Sequence, residues 1–152
     1  DVIDFSMATS ACVKVEQWEQ AFMLLDRIHM VGVELDAISL NVVISACEKG
    51  GQWERALSFF SKMRNAGMTL NVINFNTVIS ACEKRGQWEQ ALLQLSKMQA
   101  DVKPDVISYN AAISACEKGV QWERGLWLLT KMQAVDVVTD MISFSAAISA
   151  CE

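Results

Sequence analysis

The chain has 152 residues, 52% of them apolar and 20% charged, enough to build a core and too apolar for an intrinsically disordered segment. Its longest apolar runs, such as Phe22 to Leu25 and Val42 to Ile44, fall far short of the roughly 20 residues that span a bilayer. The formal net charge of −5 argues against an autonomous grip on a polyphosphate backbone by charge alone. With a single proline, Pro104, and seven glycines, the composition favours helix over sheet.

A repeat organises everything else. Cys12, Cys47, Cys82, Cys116 and Cys151 stand 35, 35, 34 and 35 residues apart, and Trp18, Trp53, Trp88 and Trp122 keep the same spacing. Such self-similarity sets the architecture before any local reading does. The chain divides into repeats 2–36, 37–71, 72–105 and 106–140, with a partial repeat at 141–152. The third repeat is one residue shorter than its neighbours, between Met98 and Asp105, where a deletion falls in the inter-repeat loop.

Taken in order, the units read alike. The first opens at Ile3 and Ser6 and carries Cys12, Lys14 and the Gln17-Trp18-Glu19 block. The second and third carry Ile44–Lys49 and Ile79–Lys84, both Ile-Ser-Ala-Cys-Glu-Lys, and the fourth repeats that block at Ile113–Lys118. In the fourth unit Tyr109, Ala112, Ile113 and Cys116 stand at i, i+3, i+4 and i+7, one apolar face of a first helix. Trp122, Gly125, Leu126 and Leu129 suggest the same face on a second helix. The tryptophans therefore read as core residues, and Met63, Met98 and Met132 as fillers near the ends of the second helices. Between the helices, Lys49-Gly-Gly51, Lys84-Arg-Gly86 and Lys118-Gly-Val120 break the pattern, and glycine there suits a tight turn. Neither helix buries its stripe alone, and stacking identical pairs does. The expected fold is all-α: an α-solenoid, a right-handed superhelix of stacked helix-turn-helix repeats.

Several bland readings hold. Each cysteine is alone in its repeat, neighbouring repeats sit about 10 Å apart, and a bridge needs Cα atoms within about 7 Å. The cysteines are thus expected to be reduced and buried on first helices, with no metal set and no cofactor. His29 has no partner pattern. Glu54, Glu89 and Glu123 occupy the first turn of second helices, where they favour the dipole. No nucleophile with a base and no phosphate-cradling loop is present, so the chain reads as a non-enzyme without a small-molecule substrate.

The run Asp105 to Met132 opens Val-Ile-Ser-Tyr-Asn, continues through Ile-Ser-Ala and ends in a Glu-Arg second helix, and it recurs in register along the chain. In this it resembles the pentatricopeptide repeats. The alternative, a tetratricopeptide repeat, places its tryptophan in the first helix, whereas here it lies in the second.

The resemblance implies a sequence-selective single-stranded RNA-binding module in organelle RNA metabolism, in mitochondrion or plastid, with one base per repeat. The fifth residue of each motif and the last residue before the next would select the base. These are Ser6 with Asp36, Asn41 with Asn71, Asn76 with Asp105, and Asn110 with Asp140, with Ser145 opening the partial repeat. Ile3, Ile38, Ile73, Ile107 and Ile142 would clamp the base, and Lys14, Lys49, Lys84 and Lys118 would meet phosphate. The implied site is G, pyrimidine, U, U from the 5′ end. Asparagine, serine and aspartate are also common helix caps, and a terminal lysine also complements the dipole. The competing reading is therefore a scaffold subunit contacting proteins in a larger assembly. No targeting segment precedes the repeat pattern, and both ends read as cut from a longer array.

Overall fold

The computed structural model describes residues 37–135 continuously, together with residues 19, 20, 23, 24, 27, 145, 148 and 149, each helical. The chain divides into two compact units, 1–69 and 70–152. Among the described residues there are six α-helices and no strand.

In the first unit, α1 (Ala37–Lys49) and α2 (Trp53–Asn65) form an antiparallel hairpin. Leu40, Val43, Ile44, Ala46 and Cys47 of α1 are buried, as are Ala56, Phe60 and Met63 of α2. Each large side chain taken out of water contributes about 1.5–3 kcal/mol. No propensity gain matches that, and it is why a marginal 13-residue helix forms at all.

The second unit holds α3 (Val72–Lys84), α4 (Trp88–Asp101), α5 (Val106–Lys118) and α6 (Trp122–Ala134). Helices α3 and α4 pair, as do α5 and α6, and α5 also rests on both α3 and α4. The shared core joins Phe75, Val78, Ile79 and Cys82 to Tyr109, Ala112, Ile113 and Cys116. Ala81 and Ala115, both fully buried, keep the first helices slim at their contact. Pro104, buried between α4 and α5, cannot extend the preceding helix.

The first-helix stripe stands where periodicity puts it. The second-helix stripe does not. The buried residues of α6 are Gly125, Leu128 and Met132, while Trp122 is 45% exposed and Leu126 39%. Trp53 and Trp88 are half-buried. Trp53, Trp88 and Trp122 are thus not core residues. Trp88 is sandwiched at the margin instead, with the Arg124 guanidinium 4.6 Å above its ring and Gly119 against its edge.

Each described first helix ends in one turn geometry. The second residue past the C-cap donates five residues back and the first past it three back, a Schellman motif. In α3 these bonds are Gln87 N to Cys82 O (2.9 Å) and Gly86 N to Glu83 O (3.0 Å). In α5 they are Gln121 N to Cys116 O (2.8 Å) and Val120 N to Glu117 O (3.0 Å). The left-handed residue is Gly51 (φ +66°) after α1, Gly86 (φ +64°) after α3, and Val120 (φ +55°) after α5.

Cys47, Cys82 and Cys116 are free and buried. Burial pushes their thiols up to about 12, 12 and 11 respectively. Cys12, Cys151, Trp18 and His29 lie outside the described residues.

Candidate nucleic-acid interface

A base-reading surface has to present polar edges, apolar planes and cations on one face. On a helix, residues at i, i+3, i+7 and i+11 share such a face. In α5 these are Ile107, Asn110, Ser114 and Lys118; in α3, Ile73, Asn76, Ser80 and Lys84; in α1, Ile38, Asn41, Ser45 and Lys49. From isoleucine to lysine the stripe runs about 16 Å at 1.5 Å per residue. Ile38, Ile73 and Ile107 are 67%, 72% and 60% exposed. A lone exposed aliphatic residue is ordinary. The same residue exposed at the same place on three first helices has no packing explanation.

Asn41, Asn76 and Asn110 are half-buried, and Lys49, Lys84 and Lys118 are exposed. Ser145 is helical and exposed. Ser6, Asp36, Asp140, Ile3, Ile142 and Lys14 lie outside the described residues.

Within the second unit the structure brings one expected pair together. Asn76 Nδ2 donates to Asp105 Oδ1 at 3.1 Å, across the junction of α3 with α5. Asp105 is also the N-cap of α5: its carboxylate accepts from Ser108 N–H (3.0 Å), and its own N–H donates to Ser108 Oγ (3.1 Å). Asn71 caps α3 in the same way with Asn74, at 3.0 and 2.9 Å. So the capping role and the position expected to select a base coincide in one residue. Partial burial pushes the Asp105 carboxyl up, but hydrogen bonds from Ser108 N–H, the Ser108 hydroxyl, the Asn76 amide and Ile107 N–H outweigh it. The net effect holds Asp105 below the usual carboxylate range.

Two participants escape sequence reasoning. Ser108, fully buried, donates its hydroxyl to Asn76 Oδ1 at 2.5 Å. A cap followed three residues later by a hydrogen-bonding side chain is a capping-box signal, and it could have drawn attention to this serine. Glu83 receives Lys118 Nζ at 2.6 Å and Ser114 Oγ at 2.8 Å. Lys118 therefore stands in an ion pair with the preceding first helix. The recurring Cys-Glu-Lys triplet was the available sign. Among the described residues no cluster of His, Cys, Asp or Glu has the makings of a metal site. No described helix is long and apolar enough to cross a membrane.

This is a helical-repeat protein of the α-solenoid class, with its polar edges gathered on the first helices. Family models agree in succession along the chain: a pentatricopeptide repeat domain over residues 23–85, the PPR repeat family over 70–118, and a PPR repeat over 107–137. The chain belongs to the pentatricopeptide-repeat family. Its fold is similar to that of the maize pentatricopeptide repeat protein PPR10 in complex with an 18-nt psaJ RNA element, with TM-score 0.82 and 24% identity over 99% of this chain. It is also similar to nuclear proteinaceous RNase P 2 of A. thaliana, with TM-score 0.86 and 16% identity over 97% of this chain. The PPR domain of Arabidopsis thaliana protein-only RNase P 1, in complex with tRNA, gives TM-score 0.80 and 18% identity over 95% of this chain and 77% of its own length. The chain spans only 22% of PPR10 and 34% of the nuclear enzyme. No curated protein matches it in sequence.

Proposed function

We propose that the chain is a non-catalytic module that reads single-stranded RNA, one base per repeat, along one array of repeats 2–36, 37–71, 72–105 and 106–140 continuing into 141–152. The observation that carries this reading is the stripe on the first helices. An exposed isoleucine, an asparagine one turn on and a lysine in the last turn recur on α1, α3 and α5. An aliphatic side chain offers a face for a base, the amide offers an edge, and the cation offers a phosphate partner. PPR10 and the RNase P 1 domain, both seen with RNA, support the reading by likeness of fold. Action in an organelle, mitochondrion or plastid, follows from the family.

Each base slot takes its own pair. Asn76 with Asp105 and Asn110 with Asp140 read uracil, Asn41 with Asn71 accepts a pyrimidine, and Ser6 with Asp36 reads guanine. The test is a binding series on short RNAs bearing G-C-U-U from the 5′ end, flanked by adenosines. Asn110→Thr is expected to move the fourth position from U towards G by about tenfold, roughly the worth of one good polar contact. The other positions should stay unchanged. Lys49→Ala and Lys84→Ala are expected to weaken all sequences alike and to flatten the salt dependence. Equal affinity for the G-C-U-U RNA and its complement would reject base reading.

A scaffold reading has its own observation. Helix α6 turns Trp122, Leu126 and Trp127 outward, the last 57% exposed. Exposed aromatic residues suit a protein contact. Should the RNA series fail, this face is the one to probe.

A further inference from the structure

We propose that Ser108 is a positioning residue that fixes which edge of Asn76 faces a bound base, so that a residue of the fourth repeat sets the discrimination of the third. The inference rests on the RNA-reading function above and adds to it a position outside the pairs named there.

The hydroxyl of Ser108 has one proton and two lone pairs to place. Asp105 N–H already donates to it at 3.1 Å. Two oxygens lie within reach of its proton: Asn76 Oδ1 at 2.5 Å and Asp105 Oδ1 at 2.9 Å. Asp105 Oδ1 is supplied from elsewhere, by Asn76 Nδ2 at 3.1 Å and Ser108 N–H at 3.0 Å. The hydroxyl proton is thus shared between the two oxygens, with Asn76 Oδ1 the nearer acceptor. Ser108 is fully buried, so no water competes for it.

Asn76 is thus held at both ends of its amide. The carboxylate of Asp105 accepts only, which requires the amino group to face it. The hydroxyl then grips the carbonyl oxygen. A flipped amide would set its carbonyl oxygen against the carboxylate, which is repulsive. The second amide proton is left over as a donor, while the carbonyl oxygen is already engaged by the hydroxyl. Uracil offers a carbonyl acceptor on its pairing edge where cytosine offers an amino donor. A slot showing one donor takes the first and rejects the second. Without the hydroxyl the carboxylate still orients the amide, but its carbonyl oxygen is no longer engaged and can accept from a cytosine amino group.

The experiment uses the full chain and RNAs of G-C-U-U flanked by adenosines, with the third position varied between U and C. Ser108→Ala is expected to reduce the preference for U over C at that position by about tenfold, the worth of one buried hydrogen bond. Preference at the fourth position should not move. Ser108→Thr restores the hydroxyl and should restore the preference. Ser108→Cys fills the space but donates weakly, so it should behave like alanine even if the alanine chain folds poorly. A merely structural cap predicts something else: a lower melting temperature and weaker binding, with the U-to-C ratio intact. That result in the alanine and cysteine chains overturns the inference. Asn76→Thr is the control that separates the two levels. If it shifts the third-position preference while Ser108→Ala does not, Ser108 has no positioning role and base reading stands. If neither shifts it, base reading at this slot falls and the inference falls with it.

Discussion

The turn after α3 and the turn after α5 share a backbone and differ in the residues that make it. Lys84-Arg85-Gly86 puts glycine at the left-handed position; Lys118-Gly119-Val120 puts a β-branched valine there, at φ +55°. The two Schellman bonds recur in both, while the C-cap N–H donates three residues back in the first, Arg85 N to Cys82 O, and four back in the second, Gly119 N to Ala115 O. An L-residue in this region costs about 1–2 kcal/mol, and valine is among the worst suited. Local preference therefore does not dictate the second turn. The helix pair and its stack impose it, and valine complies.

The glycine of the second turn stands one place earlier for another reason. Gly119 has φ −85°, which any residue adopts. A Cβ there would lie 2.2 Å from Trp88 Cδ1. Glycine is kept for space, because the indole of the preceding second helix lies against the backbone. The two turns also touch directly. A Cβ on Gly86 would sit 3.4 Å from Lys118 Cβ, and Glu83 ion-pairs with Lys118. Turn geometry thus doubles as the contact between successive repeats.

The largest expected effect breaks this contact. Gly119→Ala forces the Trp88 ring aside and with it the Arg124 stack, at a cost of about 1–3 kcal/mol, read as a lower midpoint in urea unfolding. Val120→Gly sharpens the comparison from the other side. Relief of the left-handed valine outweighs the extra freedom glycine has when unfolded, giving about 1 kcal/mol of added stability in the same measurement. Were this substitution destabilising, strain would not distinguish the two turns.

Glu83→Gln acts on the ion pair that ties the turns together. Partly exposed pairs contribute about 0.2–1 kcal/mol, so folding should change little. Lys118 is released for phosphate, and affinity for G-C-U-U RNA should rise about two- to fivefold at low salt, with a steeper salt dependence. Unchanged affinity would show that Lys118 does not meet phosphate.

The smallest effect concerns acid. The folded-state value of Asp105 is held down, so its contribution is complete above the unfolded carboxylate value of about 3.9 and is lost as pH falls through the folded value. Asp105→Asn keeps a capping oxygen, as Asn71 does. It should make the chain lose less stability on acidification below about pH 4, followed by thermal melts across that range.

Against these particulars, the reach of the sequence is uneven. The stripe Tyr109, Ala112, Ile113 and Cys116 was legible because one face of α5 is buried on α3 and α4. The stripe of α6 was not. Its apolar residues run round more than one face, and Leu126 and Trp127 turn outward while Leu128 and Met132 turn in. The glycine-marked turns were legible as turns, but Val120 was invisible as the left-handed residue, since nothing local favours it. Of the candidate site, the register of isoleucine, asparagine and lysine could be read from repetition. The grip of Ser108 on Asn76 and of Glu83 on Lys118 could not, because the partners are 32 and 35 residues apart and meet only once α3 and α5 lie together.

The junction at Asp105 also bears on how such arrays are recombined. Asp105 closes one repeat in sequence, caps the helix that opens the next, and holds Asn76. A chimera spliced between residues 105 and 106 would take Asp105 from one parent and Ser108 from the other, dividing the cluster that orients the amide. A splice within α4 would part Asn76 from both. The segment to exchange runs from Asn76 through Ser108, with the seam placed before Tyr109. The heritable cassette is therefore offset from the repeat that alignment draws, and shuffling in the wrong frame would deliver Asn76 without its hydrogen-bond partners.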